Sequence, residues 1–163
     1  QSTAIFESSF SLETSEIITD GKILYFSNNK NQIFAINIDT ASFLWKNKVN
    51  SNLRSSIVEQ YLFTISLEGY LIVTDKDSGN IIKITDIFNN FKIKNRPKIK
   101  PTGFIIGLNK IYVSTTNGRL IVINMKTGKV NTILKIDNEK ISQPFIVDKD
   151  LFVIKDNGII KLN

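Results

Sequence analysis

The hydrophobic pattern of the chain repeats four times. Each repeat centres on a short apolar run around one aromatic residue, and a turn residue follows six positions later. The four aromatic and turn pairs are Tyr25 with Asn31, Phe63 with Gly69, Tyr112 with Gly118, and Phe152 with Gly158. Glycine adopts positive φ without steric cost and asparagine is its best substitute, so all four residues suit a turn. The fixed offset predicts four copies of one structural unit.

Each copy divides into strand-like segments. A short apolar segment precedes the aromatic run, another strand follows the first turn, and a more polar strand follows a second turn. The second turns are Thr40-Ala41, Ser78-Gly79 and Thr127-Gly128. A four-stranded unit of about 40 residues has the size of one propeller blade. We therefore predict an all-β fold, a β-propeller or half-propeller of about four four-stranded antiparallel blades.

The repeat register also sets approximate boundaries within a single propeller region, residues 1–163. The predicted blades cover residues 12–50, 51–86, 98–136 and 139–163. Residues 86–100 form an insertion between blades, and Pro97 and Pro101 disfavour regular pairing there. A solvated connection is the simplest interpretation of this insertion, and a docking loop is the alternative.

The two ends of the chain raise the question of ring closure. Copy four stops after its third strand, whereas residues 4–10 alternate like a strand and are predicted to be an outer blade strand. Four blades could close a ring, pair with a second copy as half-rings, or be part of a longer chain. Because an open half-ring would expose two apolar blade faces, we expect a homodimer if the half-ring is the whole unit.

Composition restricts the chemistry that the 163 residues can perform. The chain contains neither cysteine nor histidine, which excludes thiolate metal sites and the commonest general base. The net charge of +6 comes mainly from lysines scattered over predicted strands and turns, and no nucleic-acid partner is predicted. No apolar run has the length of about 20 residues that a membrane helix needs, so any membrane association is expected to be peripheral.

The best candidate for a metal site is Asp75-Lys-Asp77, but it falls on a predicted turn. Short Asp side chains commonly bond turn backbone, and no other acidic cluster has calcium-like spacing. The sequence therefore predicts no catalytic, cofactor-binding or metal-binding residues.

The segment from Asn31 to Trp45 resembles the repeat of pyrroloquinoline-quinone-type propellers, whose blades carry Gly, Ala-Leu-Asp, Thr-Gly and Trp in this register. The later copies keep the turns but have Lys83 and Thr132 where the closing Trp would stand. The resemblance implies that Trp45 locks adjacent blades together and that the other blade contacts are weaker. It also implies a structural role for the repeat positions Tyr25, Asn31, Phe63, Gly69, Tyr112, Gly118, Phe152 and Gly158.

Within that superfamily the chain most resembles the C-terminal half of the BamB family, eight-bladed lipoproteins of outer-membrane β-barrel assembly. The likeness is strongest from Ser142 to Gly158. It implies a periplasmic, non-catalytic scaffold that binds β-barrel assembly components without a cofactor. Loops between blades would supply the partner-binding residues Leu53, Arg54 and Arg96. The alternatives are a fragment of a quinoprotein dehydrogenase and a ligand-sensing propeller.

Overall fold

The computed structural model describes residues 12–156 and 158–162. Their strands form four antiparallel sheets in chain order, three with four strands and one with three. The prediction of an all-β propeller architecture is confirmed. The outer strand predicted at residues 4–10 lies outside the described residues.

Each sheet is one blade, and its strands pair with their neighbours in sequence. Blade 1 contains β1 (Ile18–Thr19), β2 (Ile23–Asn28), β3 (Gln32–Asn37) and β4 (Phe43–Asn47). Blade 2 contains β5 (Ser56–Val58), β6 (Tyr61–Ile65), β7 (Tyr70–Asp75) and β8 (Ile81–Asp86). Blade 3 contains β9 (Pro101–Gly107), β10 (Lys110–Thr115), β11 (Arg119–Asn124) and β12 (Val130–Lys135). Blade 4 contains β13 (Phe145–Val147), β14 (Asp150–Lys155) and β15 (Gly158–Leu162).

The central hairpins of blades 1 to 3 share one geometry. Their innermost pairs flank residues 28–32, 66–70 and 115–119. The fourth residue of each connection has positive φ: Asn31 at 58°, Gly69 at 89° and Gly118 at 69°. These connections let each hairpin turn while the strands stay in register.

Blade 4 departs from this geometry, and the assignment of Gly158 as its turn residue is wrong. Lys155 pairs directly with Gly158, which is the first residue of β15. The hairpin is therefore shorter than the other three, and Asp156 has positive φ at 50°. The sequence offset is the same, but the shorter connection moves the glycine from the turn into the strand.

The core lies between successive blades because strand side chains alternate between the two faces of each sheet. One cluster joins blades 1 and 2 and includes Tyr25, Ala35, Leu62 and Ile72. A larger cluster joins blades 2 and 3. It contains Phe63, Ile65, Leu71, Val73, Ile111, Val113, Ile121 and Ile123. Facing sheets thus supply the apolar contacts that a single blade cannot make alone.

The insertion between blades 2 and 3 is only partly solvated, so the prediction of a solvated connection is wrong at both of its ends. Ile87, Phe88 and Ile99 are buried in the core between these blades. Between them lies a short 3₁₀ helix, Ile93–Lys98, with no buried residues. The apolar ends anchor the connection, and the helix carries its polar residues outward.

Trp45 links blade 1 to blade 2. Its indole Nε1 donates a 2.9 Å hydrogen bond to the carbonyl oxygen of Lys76. The ring lies directly over Gly79, where a Cβ would approach it to 2.6 Å. Between blades 2 and 3, Lys83 occupies the corresponding position and its Nζ donates a 2.7 Å bond to the Thr127 carbonyl. A flexible amine thus replaces the flat indole, and a cavity of about 390 Å³ lies beside Lys83.

Candidate functional site

A cavity of about 420 Å³ lies where the innermost strands of the blades converge. All four blades contribute to its lining. The lining residues are Ile18, Thr19, Arg54, Ser55, Ser56, Ile57, Phe104, Ile105 and Gln143. The inner strands bring them together because each blade presents its first strand, or the segment leading into it, to the same region. A funnel at the convergence of the blades is a typical place for a propeller to bind a ligand or partner.

Arg54 is the only charged residue among the described residues of this lining, and its side chain is 57% exposed. The guanidinium lies 3.5 Å from the carboxylate of Glu16, which is itself exposed. An exposed ion pair of this length contributes little to stability. The Arg54 side chain can therefore exchange Glu16 for an external carboxylate, which a guanidinium can bind with two parallel hydrogen bonds.

The backbone around Arg54 is held by buried serines. Ser51 Oγ donates a 2.7 Å bond to the Ile65 carbonyl and accepts a 3.1 Å bond from the Leu53 backbone N–H. On the other side, the Ser55 and Thr64 hydroxyls lie 2.9 Å apart in the interior. These bonds fix the base of the side chain while its charged end remains accessible. Sequence reasoning missed both serines because only the fold shows that they flank Arg54 as internal anchors.

The structure places the three predicted partner-binding residues in different environments. Leu53 is partly buried and packs against the core cluster of blades 2 and 3, with Arg54 next to it at the cavity. Arg96 lies in the insertion and is occupied by intramolecular contacts. It binds Asp86 Oδ2 at 2.8 Å, the Asn89 carbonyl at 2.9 Å and the Phe91 carbonyl at 3.2 Å. Arg96 therefore holds the insertion in shape, and it does not join the site at Arg54.

Gln143 also lines the cavity, and sequence reasoning did not select it. It enters from the segment before β13 and lies against Gly103 of β9. A Cβ at position 103 would come within 2.6 Å of the Gln143 Cβ, so only glycine allows this approach. The signal available in the sequence was a glycine inside a strand, which often marks close contact with another segment.

The most strongly shifted acidic group near this region is Asp20, in the turn that follows β1. Burial opposes ionisation of Asp20, but hydrogen bonds from Lys76 and from the backbone N–H groups of Ile23 and Lys22 outweigh it. The pKa of Asp20 falls to about 2. The same bond raises the pKa of Lys76, and burial together with the Asp20 charge raises the pKa of Tyr25. This is a permanently charged link between blades 1 and 2, unsuited to proton transfer near neutral pH.

The described residues do not offer a calcium ion a cluster of acidic ligands. Nowhere in 12–156 and 158–162 do three or more Asp, Glu, His or Cys residues form a group that could hold a metal. The Asp75 carboxylate accepts bonds from the backbone N–H and hydroxyl of Ser78, as expected of a turn residue. The described lining of the cavity instead combines the Arg54 guanidinium with hydroxyl and apolar side chains.

Comparison with known families identifies the type of propeller. Residues 3–85, about half of the chain, match the family of the outer membrane protein assembly factor BamB. The chain belongs to the BamB family. A comparison with curated protein sequences found no match.

Solved structures show the same architecture as this member of the BamB family. BamB from Moraxella catarrhalis is 12% identical with a TM-score of 0.74, over 90% of this chain and 41% of that chain. The computationally designed Ika4 protein is 12% identical with a TM-score of 0.67, over 91% of each chain. A europium-containing methanol dehydrogenase is 14% identical with a TM-score of 0.61, over 76% of this chain and 25% of that chain. At these identities the likeness concerns the fold alone.

This BamB family chain spans less than half the length of the Moraxella catarrhalis protein. The similar structures include an assembly factor and a dehydrogenase, so the fold alone does not determine the activity. Within residues 12–156 and 158–162, no helix is long and apolar enough to cross a membrane.

Proposed function

We propose that this chain is a non-catalytic propeller scaffold that binds protein partners during assembly of outer-membrane β-barrel proteins. Its place of action would be the periplasm, in association with the outer membrane. The observation that carries the proposal is the exposed Arg54 guanidinium in the lining of the cavity where the blades converge. The chain belongs to the family of the outer membrane protein assembly factor BamB, and this membership supplies the class of partner.

The chemistry around Arg54 favours a protein segment with an acidic side chain next to an apolar one. The guanidinium would pair with the carboxylate, while Ile18, Ile57 and Phe104 of the lining would contact the apolar side chain. Arginine next to an apolar pocket is a common combination at the energetic centres of interfaces. Because the serine anchors fix the backbone, little conformational entropy would be lost when the partner binds.

The test of this proposal is a pull-down of β-barrel assembly components with wild-type chain and with Arg54→Glu. We expect binding to fall at least tenfold, because the substitution removes the cation and places a second carboxylate beside Glu16. Loss of a charged pair at an interface typically costs about 2 to 5 kcal/mol. The matched control is Lys94→Glu, which makes the same charge change on the exposed side of the insertion helix.

Binding that survives Arg54→Glu would contradict the site assignment. Binding that is lost equally in Lys94→Glu would show an effect of net charge and would also contradict it. Circular dichroism of both variants separates a binding defect from unfolding.

The competing dehydrogenase function makes a different prediction. A quinone enzyme would gain thermal stability from pyrroloquinoline quinone with calcium, because a ligand that binds only the folded state stabilises it. We expect no shift in melting temperature, since the described acidic residues are engaged in turns and ion pairs. A rise of several degrees on addition of the quinone and calcium would favour the enzyme.

A further inference from the structure

A second cavity lies between blades 2 and 3, beside Lys83, and shares no described lining residue with the cavity at Arg54. Its volume of about 390 Å³ lies in the range of roughly 300 to 1,000 Å³ that is typical of small-molecule sites. Much of its lining is apolar and comes from both blades, including Val58, Phe63 and Met125. Its size and lining therefore suit a small ligand with an apolar body.

The interface between blades 1 and 2 shows which group fits this part of a blade. Strand pairing places Trp45 of blade 1 and Lys83 of blade 2 at the same repeat position. The indole of Trp45 packs against Tyr25, with 6.0 Å between ring centroids, and its Nε1 donates a 2.9 Å bond to the Lys76 carbonyl. Between blades 2 and 3 no side chain supplies a ring at this position, and the cavity lies beside the Lys83 stem.

The walls of this cavity keep the features that hold the Trp45 indole. Phe63 occupies the repeat position of Tyr25, since each pairs with the corresponding residue of the next strand. Met125 occupies the position of Lys76, because each directly follows the third strand of its blade. The cavity therefore offers a ring to pack against and a backbone carbonyl that can accept an N–H.

The charged link of the first interface has no counterpart beside this cavity. Lys76 binds Asp20 at 2.5 Å between blades 1 and 2. Val58 and Met125 occupy the two equivalent positions, and both are half-buried against the core cluster of blades 2 and 3. An apolar group can therefore enter the cavity without separating an ion pair there.

Two lysines give the cavity a positive charge. Lys83 is half-buried and Lys126 is exposed, and both line the cavity together with the exposed Glu59. Lys83 Nζ donates a 2.7 Å bond to the Thr127 carbonyl, and because an ammonium has three N–H groups it keeps donors for a ligand. Within 12–156 and 158–162, neither lysine forms an ion pair. A carboxylate on the ligand would supply the missing counter-ion.

We propose that the cavity between blades 2 and 3 binds a small aromatic carboxylate, and an indole acid in particular. The ring of the ligand packs against Phe63, its N–H donates to the Met125 carbonyl, and its carboxylate pairs with Lys83 and Lys126. The ligand thus takes the place that the Trp45 indole has in the preceding interface. The inference does not depend on the proposed function, since the two cavities have separate described linings.

The first experiment titrates the 163-residue chain with indole-3-propionate and follows binding by isothermal titration calorimetry. We expect saturable binding to the wild type and no measurable binding to Lys83→Trp, because the new indole fills the cavity. The matched control is Thr132→Trp, which places the same side chain at the equivalent repeat position of blade 3, outside this cavity. It should bind like the wild type. A wild type that does not bind, or a Lys83→Trp variant that binds equally well, would overturn the proposal.

The second experiment separates the charge of Lys83 from the shape of the cavity, and it decides the question if Lys83→Trp does not fold. Lys83→Met keeps an unbranched apolar stem but removes the ammonium. Its affinity for indole-3-propionate should fall about tenfold, the loss of one charge-assisted contact, whereas its affinity for neutral indole should stay unchanged. Lys94→Met, on the exposed insertion helix, is the control and should bind both compounds like the wild type. Equal affinity of the wild type for indole and indole-3-propionate would reject the carboxylate contact.

Discussion

At the scale of single residues, the turn glycines have two roles, and the sequence pattern revealed only one. Positive φ explains why glycine or asparagine occupies the turn, and Asn31 shows that asparagine satisfies this need. Gly69 also lies under Phe88, whose ring would be 2.2 Å from a Cβ at that position. Gly118 likewise lies against the backbone of Asp137. In blades 2 and 3 the segment that follows the outer strand folds back over the turn, so only glycine fits at these two positions.

Trp45 offers a residue-scale prediction about blade docking. Trp45→Ala should lower the free energy of unfolding by about 3 kcal/mol, because it removes the bond to Lys76 and leaves a cavity over Gly79. Leu44→Ala, an exposed neighbour on the same strand, should change it by less than about 0.5 kcal/mol. Urea denaturation measures both. Equal effects of the two substitutions would refute a special role for the indole.

Lys83 allows the reverse substitution. Lys83→Trp should raise the free energy of unfolding by about 1 kcal/mol, because an indole would fill the cavity beside Tyr61 and Met125. Thermal and urea denaturation should agree on the gain. A lower melting temperature would show that Gly128, which lies under the Lys83 stem, cannot accommodate the larger ring.

At the scale of elements, the insertion shows how a loop that looks solvated becomes ordered. Its apolar ends, Ile87, Phe88 and Ile99, are buried. Between them, Arg96 donates hydrogen bonds to the carbonyl oxygens of Asn89 and Phe91 and to the Asp86 carboxylate. Sequence reasoning placed the insertion and its basic residues. The sequence did not indicate that Asp86, ten residues earlier, forms an ion pair with Arg96.

Removal of Arg96 should therefore loosen the insertion without unfolding the blades. For Arg96→Ala we expect cleavage by a lysine-specific protease within 92–98 to become about tenfold faster, since a charge-assisted bond contributes about 1.5 kcal/mol. Asn95→Ala, an exposed neighbour, serves as control. Unchanged cleavage of Arg96→Ala would show that the buried ends alone order the segment.

At the scale of the whole molecule, successive blades are joined by charged links in addition to apolar packing. Lys76 binds Asp20 between blades 1 and 2, and Lys155 of blade 4 binds Asp137 after blade 3. The hydrogen bond from Lys155, with those from the backbone N–H groups of Glu139 and Asn138, lowers the pKa of Asp137 to about 2. Both acids are therefore more acidic in the folded chain than their ordinary value of 3.8.

The free energy of unfolding should consequently decrease as the pH is lowered through a defined range. A carboxylate whose pKa is lower in the folded than in the unfolded state makes its full contribution to stability at pH values above the unfolded-state pKa. This contribution disappears as the pH falls through the folded-state pKa. We expect the melting temperature to drop between about pH 4 and pH 2. In the double variant that carries Asp20→Asn and Asp137→Asn, this drop should be smaller. Circular dichroism melts across this range provide the measurement. An unchanged acid slope in the double variant would mean that other carboxylates control it.

The sequence alone determined the repeating unit, since strand alternation and glycine turns are local properties that repeat at fixed offsets. It also singled out Trp45, which links blades 1 and 2, and Arg54, which lines the cavity. The tertiary structure decided what depends on neighbours distant in the chain. It moved Gly158 into a strand, gave Arg96 intramolecular partners and buried the ends of the insertion between blades 2 and 3. The hydrophobic pattern indicates which face of a strand is apolar, but only tertiary packing determines what covers that face.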